Sequence, residues 1–341
     1  AKGYFNRSIV SDSPAEEVKI LLDRVPQDDD PNYQLMSPET CSFCHATQYQ
    51  QWIGSPMADA GLNTWVDDIY SGLGTEGGEG GFVYLRDSVF ADSNPASECA
   101  SCHQPELWVR EKFAPLADPR EPRSLDVLHG ISCEVCHKIA DVDVSKINYP
   151  GIFPGAVIFT RPAGPEHHPV EYGVLADVGY SHPTYMRASY QPQLLAEVCG
   201  ACHQDAADPA EDHTFSGVIS EPTYTEWAES AYGDPESPMY QSCVDCHMGP
   251  AGTDRICDIL DPPLIRDPET VKSHDIRGTT PEFLENAVEL DMQVERAGRE
   301  IVVEVDLTNS LTGHHVPTGV TVRNMILLVE AWRDDGASLS H

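Results

Sequence analysis

The sequence predicts a loop-rich fold of mostly short helices, with a small β segment near the C-terminus. Three observations lead to this prediction. The pentapeptide Cys-x-x-Cys-His occurs five times in 341 residues. The chain contains 27 prolines and 25 glycines, which favour turns and loops over long regular elements. Apolar and polar residues alternate loosely from about residue 300, as they do in β-strands.

The five pentapeptides are the signature for covalent attachment of a c-type haem. They begin at Cys41, Cys99, Cys133, Cys199 and Cys243. Two thiols add to the two vinyl groups of a porphyrin, and the histidine that follows binds the iron as the proximal ligand. A zinc or disulfide framework is disfavoured, because neither needs a histidine directly after every second cysteine.

The predicted cofactors are therefore five haem c groups. The haem-binding thiols are Cys41, Cys44, Cys99, Cys102, Cys133, Cys136, Cys199, Cys202, Cys243 and Cys246. The proximal iron ligands are His45, His103, His137, His203 and His247. Each porphyrin is a large apolar disc that supplies core otherwise provided by side chains. We therefore expect a multihaem cytochrome c fold, with short helices wrapped round a chain of haems.

Three segments follow from this pattern. Residues 1–40 form an N-terminal arm that packs on a neighbour, either this chain or another copy. Residues 41–290 form the haem-binding region, and residues 291–341 form the C-terminal β segment. Within that segment we expect strands at residues 300–307 and 320–332. Two stretches, Tyr49–Ser55 and Tyr224–Ser230, share the pattern Tyr-x-x-Trp-x-x-Ser, which indicates a weak internal duplication and aromatic packing near the porphyrins.

The strong negative charge restricts the partners. The formal net charge is −34, so nucleic acids and anionic membranes are disfavoured. The acidic run Asp28-Asp29-Asp30 is a candidate Ca²⁺ site, although a solvated acidic surface is the simpler interpretation. No run of eighteen apolar residues exists, so we expect no membrane span. Because haem c is attached outside the cytoplasm, we expect an extracellular or cell-surface protein, with the periplasm as the alternative.

The sixth ligand of each iron decides between electron transfer and catalysis. An iron with two histidine ligands has no open site, whereas a five-coordinate iron can bind a substrate. Fourteen histidines minus five proximal ones leave nine candidates. The predicted distal ligands are His129, His182, His274, His314 and His168, and for the fifth of these His167 and His213 remain alternatives.

Local context supports two of these choices. His314 lies in a turn between predicted strands, where Gly313 and Pro317 restrict the backbone and aim the imidazole. The adjacent His315 is expected to point the other way. His129 lies four residues before Cys133, too close to serve its own haem, so we expect it to bind the iron of an adjacent one.

The chain resembles the exported multihaem c-type cytochromes of metal-reducing and related microbes. The resemblance rests on Glu226-Trp227 to Ser230 followed by the motif at Cys243 and Met248, and on Gly313-His314-His315-Val316-Pro317-Thr318-Gly319. It implies that His314 and His274 are distal ligands. The family includes subunits of extracellular cytochrome filaments, in which some distal histidines come from the adjacent subunit.

These observations predict long-range electron transfer through five closely packed, mostly bis-histidine haems, and no enzyme activity. The expected partners are redox proteins or extracellular acceptors such as metal oxides, together with further copies of this chain in a homo-oligomer or filament. The alternatives are a soluble periplasmic shuttle and a multihaem reductase or oxidase of small nitrogen or sulfur compounds with one open iron.

Overall fold

A computed structural model describes most of the chain. The described residues are 1–9, 17–118, 120, 125–161, 169–182, 184–260 and 263–338, without the side chains of residues 125 and 126. The candidate ligands His167 and His168 therefore lie outside the described residues, as does His341.

The helices of the described residues are short, and the longest has eight residues. They are α1 Pro38–Ser42, α2 Ala46–Ile53, α3 Thr64–Tyr70, α4 Tyr84–Asp87, α5 Cys99–His103, α6 Pro105–Arg110, α7 Leu125–Leu128, α8 Cys133–His137, α9 Glu197–Gly200, α10 Thr223–Ala228, α11 Cys243–His247 and α12 Pro281–Ala287. Proline occupies the first turn of α1, α6 and α12, where its missing N–H costs nothing. This part of the chain contains no helix with the length and apolar character needed to cross a bilayer.

Within the described ranges, the strands form four small sheets. They are β1 Ile139–Val142, β2 Val157–Phe159, β3 Val170–Gly173, β4 Ser181–His182, β5 Met186–Tyr190, β6 Asp205–Ala206, β7 Ile219–Glu221, β8 Glu289–Ala297 and β9 Glu300–Thr308. Strand β5 pairs with β3 in parallel and with β4 antiparallel, whereas β1–β2, β6–β7 and β8–β9 are antiparallel pairs. The prediction of short helices with a small β segment at the C-terminus is confirmed.

One predicted strand is wrong. The strand at residues 300–307 is present as β9, but residues 320–332 form no strand, and the partner of β9 is β8. A local hairpin is easier to form because Gly298, with a φ of 69°, allows a tight turn between Ala297 and Glu300. Residues 289–297 also alternate between apolar and polar, a signal that the more apolar later segment obscured.

The N-terminal arm lies against the rest of this chain. Phe5 and Val25 are buried in the main hydrophobic core beside Trp108 and Ile139. The backbone N–H of Asn6 donates to the carbonyl of Ala188 in β5 at 2.8 Å. Of the two neighbours expected for the arm, the structure therefore provides its own chain.

The C-terminal hairpin β8–β9 is exposed along both strands. The register pairs Leu290 with Leu307, Met292 with Val305 and Val294 with Val303, so these apolar side chains share one face. The opposite face of β8 carries Glu289, Asp291, Gln293 and Glu295. The ribbon thus has one apolar and one acidic face.

Candidate haem-binding site

Helical geometry places the two cysteines and the histidine of a Cys-x-x-Cys-His motif on one side of the helix. Helices α5, α8 and α11 each consist of one complete motif. On a helix the residues at i, i+3 and i+4 lie on one side, so both thiols and the imidazole point in the same direction. In the first and fourth motifs the helical turn ends before the histidine, at Ser42 and Gly200 respectively. None of the ten motif cysteines is part of a disulfide.

Local capping fixes the fifth motif. Ser242 and Asp245 form a capping box, in which the Asp245 N–H donates to Ser242 Oγ at 3.3 Å and the Ser242 N–H donates to Asp245 Oδ2 at 3.0 Å. Lys272 Nζ donates to the other oxygen of Asp245 at 2.9 Å. The capping box and the Lys272 contact therefore fix the start of the helix that carries Cys243.

The two Tyr-x-x-Trp segments have the same structural role. Trp52 Nε1 donates to the carbonyl of Ile131 at 2.7 Å, and Trp227 Nε1 donates to the carbonyl of Gln241 at 2.9 Å. Each acceptor lies two residues before the first cysteine of a motif, Cys133 and Cys243 respectively. The indoles therefore tether α2 and α10 to the third and fifth motifs. This common role supports the duplication read from the sequence.

The motifs open on one large cavity of about 3250 Å³. All ten motif cysteines and all five motif histidines line it. Divided among five motifs, the cavity leaves about 650 Å³ each, within the range of roughly 300–1,000 Å³ for small-molecule sites. A space of this size cannot be filled by the side chains around it. The residues therefore fit five large prosthetic groups, each anchored by one motif.

The imidazoles of four motif histidines are oriented by backbone carbonyls. The Nδ1 atoms of His45, His103, His137 and His247 lie 2.7, 3.2, 2.5 and 2.5 Å from the carbonyl oxygens of Ile256, Ala60, Tyr172 and Arg277. A carbonyl oxygen only accepts, so Nδ1 carries the proton and Nε2 keeps its lone pair. This is the arrangement that orients a histidine ligand towards a metal ion.

Two of the motif histidines face a second histidine. The ring centroids of His137 and His274 are 6.3 Å apart with an interplanar angle of 20°, and those of His247 and His314 are 6.2 Å apart at 10°. Two imidazoles on opposite sides of one metal ion have centroids about 6.2 Å apart, given a metal–nitrogen bond of about 2.0 Å. The Nδ1 atoms of His274 and His314 also bond to backbone carbonyls, of Lys272 at 3.2 Å and of His315 at 2.9 Å. Both pairs fit one iron each.

Burial favours the neutral form of five histidines that line the cavity. It lowers the pKa of His274 and of His203 to about 4, and it lowers the pKa of His103, His137 and His247. A neutral imidazole offers the lone pair that iron requires.

The other predicted distal ligands are placed differently. His129 is buried, with Nε2 3.8 Å from Glu39 and Nδ1 4.0 Å from Glu106, and burial lowers its pKa. His182 lines the cavity, stacks on Tyr185 at 4.8 Å and accepts the N–H of Thr184 at Nδ1. The structure pairs neither ring with another described histidine ring, so their assignment as iron ligands stays a prediction.

Two further histidines were weighed against predicted distal ligands. His315 Nδ1 lies 2.9 Å from Glu226 Oε1, and the His315 side chain is 79% exposed. His213, the alternative to His168, has a φ of 60° and packs among Phe113, Phe153 and Phe215 at the cavity wall. Its ring is 5.2 Å from that of Phe153, and no described histidine ring lies against it.

The acidic run proposed for calcium has another partner. Arg161 donates to both carboxylate oxygens of Asp29, at 2.8 and 2.6 Å. Asp30 Oδ1 accepts the backbone N–H of Asn32. Among the described residues, no group of three or more His, Cys, Asp or Glu side chains is arranged to hold a metal ion by itself. Nothing in the structure supports the calcium prediction.

These features match a known architecture. The chain is similar to the crystal structure of a penta-haem cytochrome c552 from Thermochromatium tepidum, with a TM-score of 0.55 and 21% sequence identity over 89% of this chain and 73% of that chain. The fold is that of a multihaem cytochrome. No family model matches the sequence, and no curated protein matches it.

Sequence analysis missed a buried group beside the third motif of this multihaem fold. Lys138, directly after His137, is completely buried and bonds to two carboxylates, Glu134 and Glu171. A lysine next to a proximal histidine was the available signal, but Glu171 lies 33 residues away in sequence. Only the fold brings it to the site.

Proposed function

We propose that this protein carries five c-type haems and transfers electrons along them. The observation that carries the proposal is the geometry of the two histidine pairs inside a cavity lined by all five motifs. The fold shared with a penta-haem cytochrome supports it. Each bound haem supplies one iron that exchanges a single electron between the ferric and ferrous states.

The residues of the chain hold, orient and shield these groups. The ten motif thiols would anchor them, and the five motif histidines would bind their irons, four of them with Nδ1 fixed by a backbone carbonyl. His137 and His274 would together hold the third iron, and His247 and His314 would hold the fifth. Two histidine ligands leave no position for a substrate, so these two sites serve electron transfer.

The test has two parts, performed on the matured protein. A haem assay against protein mass is expected to give five covalently bound haems per chain. An electron paramagnetic resonance spectrum of the oxidised protein is expected to contain low-spin ferric signals from bis-histidine irons. A chain with no covalent haem would overturn the proposal. A high-spin signal from one haem would instead favour the reductase or oxidase alternative for that site.

We also propose that the protein works outside the cytoplasm, where haem c is attached, and that it exchanges electrons with redox proteins or extracellular acceptors such as metal oxides. Polymerisation into a filament belongs to the same proposal. The N-terminal arm packs on its own chain, so the exposed apolar face of the C-terminal hairpin is the surface that we expect to dock on another copy. Negative-stain electron microscopy of the secreted fraction tests this, because regular filaments support polymerisation and single particles contradict it.

A further inference from the structure

A cluster of buried charges lies beside the third motif. Lys138 Nζ donates to Glu134 Oε1 at 2.9 Å, to the carbonyl of Val170 at 2.8 Å, and to Glu171. The side chains of Lys138 and Glu134 are 0% and 1% exposed. One ammonium group therefore faces two carboxylates, and a single positive charge balances only one of them.

The donors are divided unequally between the two carboxylates. Glu134 accepts from Lys138, from the Tyr33 hydroxyl at 3.1 Å and from the Met36 N–H at 2.5 Å. Three donors therefore converge on this carboxylate. Glu171 has Lys138 as its donor and lies against the Glu134 carboxylate. Burial raises the pKa of Glu171 well above its usual range. The positive charge of Lys138 has the next largest effect and lowers this pKa, but it does not outweigh burial.

Every neighbouring element contributes to this balance. Helix α8 presents Lys138 and Glu134, the N-terminal arm presents Tyr33, and β3 itself presents Tyr172. Strand β5 places the uncharged Ala188 opposite Glu171. Burial raises the pKa of Tyr33, which therefore keeps its proton and acts as a donor to Glu134.

The cluster is connected to the third iron site in two ways. Glu171 lines the cavity, and its side chain is 17% exposed. The next residue of β3, Tyr172, accepts the Nδ1 proton of His137 through its carbonyl at 2.5 Å. A charge on Glu171 therefore acts across a short, poorly screened distance on the site that His137 ligates.

We propose that Glu171 is a proton-binding site coupled to the electron at the third haem. The inference rests on the proposed function, because it needs that haem in place. Glu171 binds one proton from water when one electron from the donor arrives, and it returns the proton to water when the electron moves on. Charge is conserved near the third site, because the added electron is offset by the added proton. Tyr33, which is only partly buried, links the cluster to solvent through Glu134.

The test is a redox titration of the matured protein at several pH values. The third haem is identified as the one whose spectrum changes in His274→Ala. Its midpoint potential is expected to fall as pH rises while Glu171 titrates, and the other four potentials are expected to stay constant in that window. A tenfold change in the proton affinity of Glu171 between the two redox states corresponds to a total shift of about 59 mV.

Variants separate a proton site from a structural role. Glu171→Gln keeps an acceptor for Lys138 but cannot titrate, so the pH dependence of the third potential is expected to vanish. Glu171→Asp is expected to retain it, and Glu300→Gln, on the exposed hairpin, is the matched control. An unchanged pH dependence in Glu171→Gln would overturn the inference and place the proton elsewhere.

Two controls keep the outcomes distinguishable. Covalent haem is counted first, because a chain without haem refutes the proposed function, whereas five haems with pH-independent potentials refute only the coupling. Should Glu171→Gln fail to assemble, the wild-type infrared difference spectrum between reduced and oxidised protein replaces it. A carboxylic acid band that appears on reduction supports the coupling, and its absence overturns it.

Discussion

At the scale of single residues, the predicted second iron ligands depend on contacts between distant parts of the chain. His274 lies 137 residues after His137, the ring that it faces, and its backbone N–H donates to Gln51 Oε1 at 3.0 Å. Gln51 lies in α2, the helix that follows the first motif. The segment after the first motif therefore helps to position a candidate ligand for the third.

Replacing His274 tests this arrangement. His274→Ala is expected to leave five covalent haems but to convert one of them to a high-spin ferric state, because the third iron loses its sixth ligand. Electron paramagnetic resonance and optical spectra measure the change. The control is His315→Ala, next to the other candidate ligand His314. It removes an exposed imidazole that pairs with Glu226, and it is expected to leave all irons low-spin. A fully low-spin His274→Ala protein would show that another group binds this iron.

The residues predicted from sequence divide by the range of the interaction. The motif cysteines and histidines were readable because their chemistry is contained in five consecutive residues. His314 and His274 were predicted as ligands, but the irons they face follow only from the fold. His129, which was expected to ligate an adjacent haem, lies between Glu39 and Glu106. No local pattern in the sequence indicates such a contact.

At the scale of elements, the helices that carry the motifs are about one turn long, and single hydrogen bonds position them. The indole of Trp52 joins α2 to the residue two positions before the third motif. Trp52 is 6% exposed, so its loss leaves a buried carbonyl on Ile131 without its donor. Such a tether is worth more to the motif than helix propensity, because a five-residue helix is unstable alone.

The tether predicts a selective loss of stability. Trp52→Phe keeps the aromatic ring but removes the N–H donor, so the free energy of unfolding is expected to fall by about 1–3 kcal/mol. Guanidinium unfolding followed by haem absorbance measures it. Trp332→Phe is the matched control, because Trp332 is 58% exposed outside the cavity and a change of less than about 0.5 kcal/mol is expected there. Equal effects at both positions would argue against the tether.

The elements that sequence analysis misassigned lie in the C-terminal segment. Alternation marked β9 correctly, but the apolar content of residues 320–332 outweighed the weaker alternation of residues 289–297. Pairing between neighbours in sequence decided the outcome, since Gly298 allows the chain to reverse within two residues. The glycine turn at Gly298 therefore predicts the partner of β9 better than the apolar content of residues 320–332 does.

At the scale of the whole molecule, the cavity is too large for a folded chain without haem. Protein interiors contain few voids larger than a water molecule, whereas this cavity measures about 3250 Å³. We therefore expect the proposed haems to form part of the core and to be needed for folding to this structure.

Chain produced without haem attachment tests this directly. We expect its circular dichroism to change gradually with guanidinium, without the cooperative transition of the matured protein, because the apolar surfaces of the cavity have nothing to pack against. A haem-free chain that unfolds cooperatively at the midpoint of the matured protein would contradict this expectation. Matched samples differ only in co-expression of the haem attachment machinery.

The exposed hairpin and the net charge of the chain have opposite effects on contact between copies. The net charge of −34 repels copies at long range, whereas the apolar face with Leu290, Met292 and Val294 favours contact at short range. The Debye length shortens from about 30 Å at 0.01 M salt to about 3 Å at 1 M. We therefore expect copies of this protein to stay apart in dilute buffer. Concentrated salt screens the repulsion but leaves the apolar face exposed, so we expect association between copies to increase with ionic strength.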